Sequence, residues 1–259
     1  MIVRKSAARR MLVLGLALTA LIVPSTANAA SGDLIPDLRM ARLRDMRIQV
    51  TSNGARLLRF SSTIVNEGDG RFVVHGNRSS TGSPWIVRQK IKNADGSYRW
   101  IRTTAGLQYT GDGHDHWHIK NMASYELFAL TDTGTALRRG AKVGFCFFDT
   151  TAHNLSLPGA PQRPKYREST CGIRNSTHIW MGLSHGWGDT YPWNFYKQWI
   201  DISGVPAGRY RVCVTTDKAN RFRELNESNN ATWTDISIGA RGTGLTVLGW
   251  GRSSCQTRA

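Results

Sequence analysis

Three histidines alternate in the stretch GDGHDHWHIK, at His114, His116 and His118. On an extended chain, alternate side chains share a face and stand about 6.6 Å apart, at roughly 3.3 Å per residue. Two neighbouring imidazoles can then share one metal ion without strain. All three span roughly 13 Å at the backbone, so full ligation needs a bend. Gly111 and Gly113, just upstream, are the positions that could supply it. Neutral imidazole suits zinc, copper, iron and nickel, and no neighbouring thiolate favours zinc. The spacing therefore predicts a metal site with copper or zinc unresolved, against the blander alternative of a solvated strand face.

Strands have to position these residues. Short alternating or β-branched segments dominate the chain: RLLRFSSTIVN (56–66), RFVVHG (71–76), PWIVRQKI (84–91), YRWIRTT (98–104), KVGFCFF (142–148), KQWIDI (197–202), RYRVCVTT (209–216) and TWTDISI (232–238). Turn chemistry such as NEGDG, NADGS, TDTG and VPAG separates them. Asp95-Gly96 marks a hairpin between two of them. No long segment keeps a helical period. The pattern predicts a mostly β, β-sandwich-like single domain with long loops between about 150 and 195.

The first residues read as a leader. Arg4, Lys5, Arg9 and Arg10 precede MLVLGLALTALIV and the small residues Ala27-Asn28-Ala29, as in a secretory signal peptide spanning 1–29. The apolar run is shorter than the ~20 residues a spanning helix needs, so no membrane association is expected after cleavage. Arg9-Arg10 are a poor match to twin-arginine export. The remainder, 30–259, is long enough for one domain with its own core. Cleavage removes four basic residues and lowers the net charge from +16 to about +12. Such a surface favours anionic partners, including cell-wall polymers. The basic residues are scattered and match no nucleic-acid motif, so no specific nucleic-acid role is expected. Cys146, Cys171, Cys213 and Cys255 are too widely spaced for a zinc knuckle. In an exported protein they predict two disulfides, with three pairings open.

The downstream segments KVGFCFFDT (142–150), WGDTYPWNFYKQWIDISGVPAGRY (187–210) and ESNN (227–230), with PDL (36–38) and LLRF…VNEGDGRF (57–72), resemble the lysyl oxidase catalytic domain. Their order and spacing cover nearly the whole chain after the leader. The resemblance implies a compact, secreted, bacterial-type member without the large N-terminal extensions of animal relatives. It places copper on His114, His116 and His118. It also places a self-derived quinone, lysine tyrosylquinone, on Lys142 and Tyr191, which composition alone would read as a solvated lysine and a loop aromatic.

The implied activity is oxidative deamination of peptidyl lysine and small primary amines, converting amine, O2 and water to aldehyde, NH3 and H2O2. Asp189 is a candidate base or supporting residue, with His178 and His185 as alternatives. Ser124 stands where animal members carry a further histidine. The resemblance pairs Cys146 with Cys171, leaving Cys213 with Cys255. It also implies a calcium site from Asp37, the Leu38 carbonyl, Glu224, Asn226, Asn229 and Asn230, oxygen ligands of the kind calcium takes. Asn226 replaces an acid there. Two other functions compete: a copper- or zinc-binding β domain without a quinone, in metal handling or adhesion, and a metal hydrolase. Neither has a reason to place Lys142 and Tyr191 beside the metal.

Overall fold

The computed structural model describes residues 32–110, 114–132, 134–142 and 144–255. The expected leader and the glycines at 111 and 113 lie outside the described residues. Among those described, there is no α-helix and no helix long and apolar enough to cross a membrane. A single 3-10 turn, Glu168–Cys171, is the one helical element described.

The longest strand, Arg56–Asn66, is buried along most of its length, with Leu58, Phe60 and Ile64 inaccessible to solvent. It pairs antiparallel with Leu38–Met40, Arg44–Val50, Trp187–Tyr191 and Trp199–Asp201. Thr151–Ala152 extends that sheet from its Trp187–Tyr191 side. A second sheet runs Arg138–Arg139, Ala123–Ala129, Gly208–Thr216, Ala231–Ile238 and Leu245–Gly251. The third joins His178–Leu183, Phe72–Asn77, Ile86–Asn93 and Tyr98–Arg102, with Asp33–Leu34 added to Ile86–Asn93. Apolar side chains from these layers fill one core, where Phe72 meets Phe147 and Phe222 edge-on, each at 5.0 Å.

The expected β architecture and hairpin are present. Gly96, at φ +86, makes the turn between Ile86–Asn93 and Tyr98–Arg102. Both expected disulfides also form, Cys146–Cys171 and Cys213–Cys255.

Two local expectations need correction. Residues 142 and 144–148 form no regular strand: Phe145 makes only an isolated bridge, exchanging backbone hydrogen bonds with Ile119 at 2.8 and 3.2 Å. Lys142, Phe145, Cys146 and Phe147 are all buried with no alternation, which reads in sequence like a fully buried strand. The irregular stretch at 153–177 is real, but strands His178–Leu183 and Trp187–Tyr191 follow within the region expected to be loop. Both contain glycine. A Cβ on Gly182 would fall 2.4 Å from the Tyr166 ring, so glycine there serves packing instead of breaking the strand.

Glu67 ties three distant segments together. Its carboxylate meets Arg39 at 2.6 Å, His153 at 2.7 Å and Arg252 at 3.0 Å, and the His153 hydrogen bond leads in holding its pKa down at about 2. A depressed carboxylate stabilises the fold above its unfolded pKa near 4.5, and the contribution is lost as pH falls toward 2. Glu67→Gln should therefore cost about 2 kcal/mol in urea unfolding at pH 7. That gap should narrow progressively below pH 4; an equal gap at pH 7 and pH 3 contradicts the linkage.

Candidate active site

The strand Trp117–Ile119 begins one residue after His116, so only His118 sits in regular structure. It pairs with Leu107–Tyr109, opposite Gln108. His114 and His116 lie in the irregular approach, and this departure from a flat strand lets the rings converge. Ring centroids are 4.7 Å apart for His116 and His118, 5.9 Å for His114 and His116, and 6.2 Å for His114 and His118. Ligation at about 2.0–2.1 Å sets centroids roughly 5 Å apart, so His114 stands about 1 Å wide of a closed set. Accordingly, no three His, Cys, Asp or Glu side chains among the described residues form a ready-made metal group.

The donors nevertheless suit a metal. His118 is fully buried, and neither of its ring nitrogens has a hydrogen-bond partner among the described residues. Burial, followed by the charge of Lys142 and the neighbouring histidines, pushes its pKa down to about 2. The ring is therefore held as neutral imidazole, the form that ligates. On the rim, the Glu168 carboxylate lies 3.3 Å from His116 Nδ1. A carboxylate at that nitrogen orients the ring. Sequence reasoning missed Glu168, whose only signal was its place three residues before Cys171.

Register brings the remaining groups in. The Trp187–Tyr191 strand sets Asp189 opposite Ile64 and Tyr191 opposite Ser62. The Tyr191 ring packs 4.2 Å from Phe145 and lies 6.2 and 6.3 Å from His114 and His118. Its hydroxyl accepts the Cys146 N–H at 3.0 Å, next to the Cys146–Cys171 disulfide. Lys142 reaches the same ring from the other segment. It is only 4% exposed, and its Nζ stands 4.5 Å from the ring centroid.

Burial raises Asp189 well above the usual carboxylate range, with the Lys142 charge opposing it. Neither Asp189 oxygen has a hydrogen-bond partner among the described residues. Burial, then Asp189, pushes the Tyr191 phenol well up, so it stays protonated. Beneath them, Ser62 Oγ and Tyr125 Oη are 2.7 Å apart, and Gln198 Nε2 donates to Ser62 at 3.0 Å.

The structure separates the candidate bases. Asp189 is two residues from Tyr191 on the same strand and within reach of the Lys142 charge. His178 stacks toward His75 on the third sheet, His185 lies beside the Pro158 carbonyl at 3.2 Å, and Ser124 lines a different hollow with Lys218 and Arg221.

The six expected calcium residues also gather. Asn229 Nδ2 donates to Asp37 at 2.8 Å, Asn226 N donates to Asp37 at 3.2 Å, and Asn230 Nδ2 donates to Glu224 at 3.2 Å. The Leu38 N–H donates to Glu224 at 2.6 Å. Glu227, absent from the sequence expectation, accepts the Glu224 N–H at 3.1 Å. Burial raises Asp37 and Glu227, and raises Glu224 well above its usual range with help from Glu227. Buried Oδ1 atoms of Asn229 and Asn230 lack partners among the described residues. Stacked carboxylates with spare amide oxygens suit an oxygen-seeking cation.

Known proteins share this arrangement of sequence. A family model described as lysyl oxidase matches residues 87–244. Lysyl oxidase homolog 2 of Gallus gallus is 30% identical over 182 residues, 70% of this chain and 18% of that protein. Lysyl oxidase homolog 4 of Mus musculus is 31% identical over 176 residues, 68% of this chain and 18% of that protein. Protein-lysine 6-oxidase of Rattus norvegicus is 30% identical over 132 residues, half of this chain and 29% of that protein. The matched region thus spans less than a third of each of these relatives. The chain belongs to the lysyl oxidase family.

Proposed function

We propose that the protein is a secreted, copper-dependent amine oxidase acting on lysine side chains of peptides or proteins and on small primary amines. The reaction converts amine, O2 and water to aldehyde, NH3 and H2O2. The observation that carries this reading is Lys142 Nζ at 4.5 Å from the Tyr191 ring, beside three converging imidazoles. A metal-handling domain or a hydrolase has no use for that buried pair.

His114, His116 and His118 would hold copper. Copper held there would supply redox chemistry with O2, and a quinone derived from Tyr191 and Lys142 would supply a carbonyl electrophile for amines. The chain's own groups do the rest. The Cys146 N–H fixes the Tyr191 oxygen, and Phe145 supports the ring face. Asp189, raised by burial, holds a proton more tightly than an ordinary carboxylate, and it is the candidate to take one from the substrate. Burial of Lys142, Asp189 and Tyr191 keeps bulk water, a competing nucleophile, away from them. The leader at 1–29 would direct the 30–259 domain out of the cell, where its basic surface can meet anionic wall polymers.

Copper-matured protein should release peroxide with a lysyl peptide, and Lys142→Ala should lower that rate at least 1,000-fold while copper stays bound. Peroxide formation that survives Lys142→Ala contradicts the assignment.

We further propose that Asp37, Leu38, Glu224, Asn226, Asn229 and Asn230 hold calcium. The raised carboxylates contribute stability that is lost as pH rises above 4.5 and through their folded pKa values. A cation binding the ionised forms offsets that loss. Calcium should therefore raise the melting temperature more at pH 8 than at pH 5, and Glu224→Gln should abolish the difference. Identical melting with calcium and with EGTA at pH 8 argues against the site.

A further inference from the structure

The third sheet carries an outer face that the amine-oxidising site does not use. Strand register places Trp180 beside His75, His75 beside Arg88, and Arg88 beside Arg102; in the next row, Lys90 lies beside Trp100. Tyr98, Trp100 and Trp180 are all exposed, at 54%, 43% and 40%. Exposed aromatic clusters of this kind mark interaction surfaces. Trp180 stacks on His75 at 4.2 Å, and Trp100 lies 5.6 Å from Trp180 at an interplanar angle of 56°. The rings are therefore stepped, which fits a single turning chain better than a flat crystalline face. Burial, then His178 and Arg88, lowers His75, which keeps the ring neutral for stacking.

Charge sits inside this aromatic frame. Lys90 Nζ is 3.8 Å from the Tyr98 ring centroid, 5.5 Å from Trp100 and 5.8 Å from Trp180. Arg88, Lys92 and Arg102 lie exposed around it, and none of the four strands contains an aspartate or glutamate.

We propose that this face binds an acidic polysaccharide, with Trp100, Trp180 and Tyr98 stacking on sugar rings and Lys90 pairing with a ring carboxylate. The choice of occupant follows from the geometry. A uronate carries its charge directly on the stacking ring, matching a cation held among aromatic faces. In a nucleotide, the phosphate is separated from the stacking base by the ribose. The two disulfides also point to an oxidising compartment, where acidic glycans are available partners.

The test is affinity electrophoresis and calorimetry of the full chain with polygalacturonate, dextran and oligo(dT). Polygalacturonate should bind, dextran should not, and added salt should weaken binding. The double variant Trp100→Ala/Trp180→Ala should lose at least tenfold in affinity, as should Arg88→Ala/Lys90→Ala, with melting temperatures unchanged. Absence of polygalacturonate binding, or insensitivity to both variants, overturns the site. Tighter binding of oligo(dT) makes it a nucleic-acid face instead. A loss of self-association in the tryptophan variant makes it a contact between copies. None of these readouts depends on copper, quinone or amine turnover, so they stand apart from the oxidase reading.

Discussion

Desolvation governs the site. Lys142, Asp189, Tyr191 and His118 are removed from water together, beside a largely apolar core. An isolated buried charge costs several kcal/mol, so such groups either neutralise or find a counter-charge. Here His118 is driven to neutral imidazole and Tyr191 to a protonated phenol, while Asp189 is raised by burial and drawn back by Lys142. The conditions that make the cluster expensive to bury are the ones the proposed chemistry needs. A ligating imidazole must be neutral, and a proton acceptor at neutral pH must be more basic than an ordinary carboxylate.

A scaffold that confines these groups has to be stiff. Arg56–Asn66 pairs with the single strand that delivers both Asp189 and Tyr191. The Cys146–Cys171 bond ties the Lys142 segment to the turn bearing Glu168. Asp149 organises the irregular stretch: its oxygens accept the backbone N–H groups of Lys165 at 2.7 Å and Ser184 at 2.8 Å. A carboxylate thus replaces the missing strand ladder where the chain wraps the site.

Much of this was legible in the residues. Alternation located Arg56–Asn66 and Ala231–Ile238 well, because each buries one or both faces against neighbours. It failed around Phe145–Phe147, where successive buried residues make a strand-like run with only an isolated bridge. It also failed for His178–Leu183, whose Gly182 reads as a breaker until the Tyr166 ring above it is seen. The histidine triplet stood out by its spacing, and the described part of its departure from a flat strand lies at 114–116. Lys142 and Tyr191 could be singled out only by family resemblance, since no local rule says that a lysine will be buried. Glu168 and Glu227 were invisible for a related reason: each reaches its site through tertiary placement, and an acidic residue on a turn has no spacing signature.

The central claim is that Lys142 and Tyr191 are built to be joined. Peptide mapping by mass spectrometry, before and after aerobic copper loading, tests it most directly. Copper-loaded protein should yield one covalent species containing both the Lys142 and Tyr191 peptides, and metal-free protein should yield them separately. Recovery of both peptides unmodified and unlinked from fully copper-loaded, air-exposed protein would contradict the account.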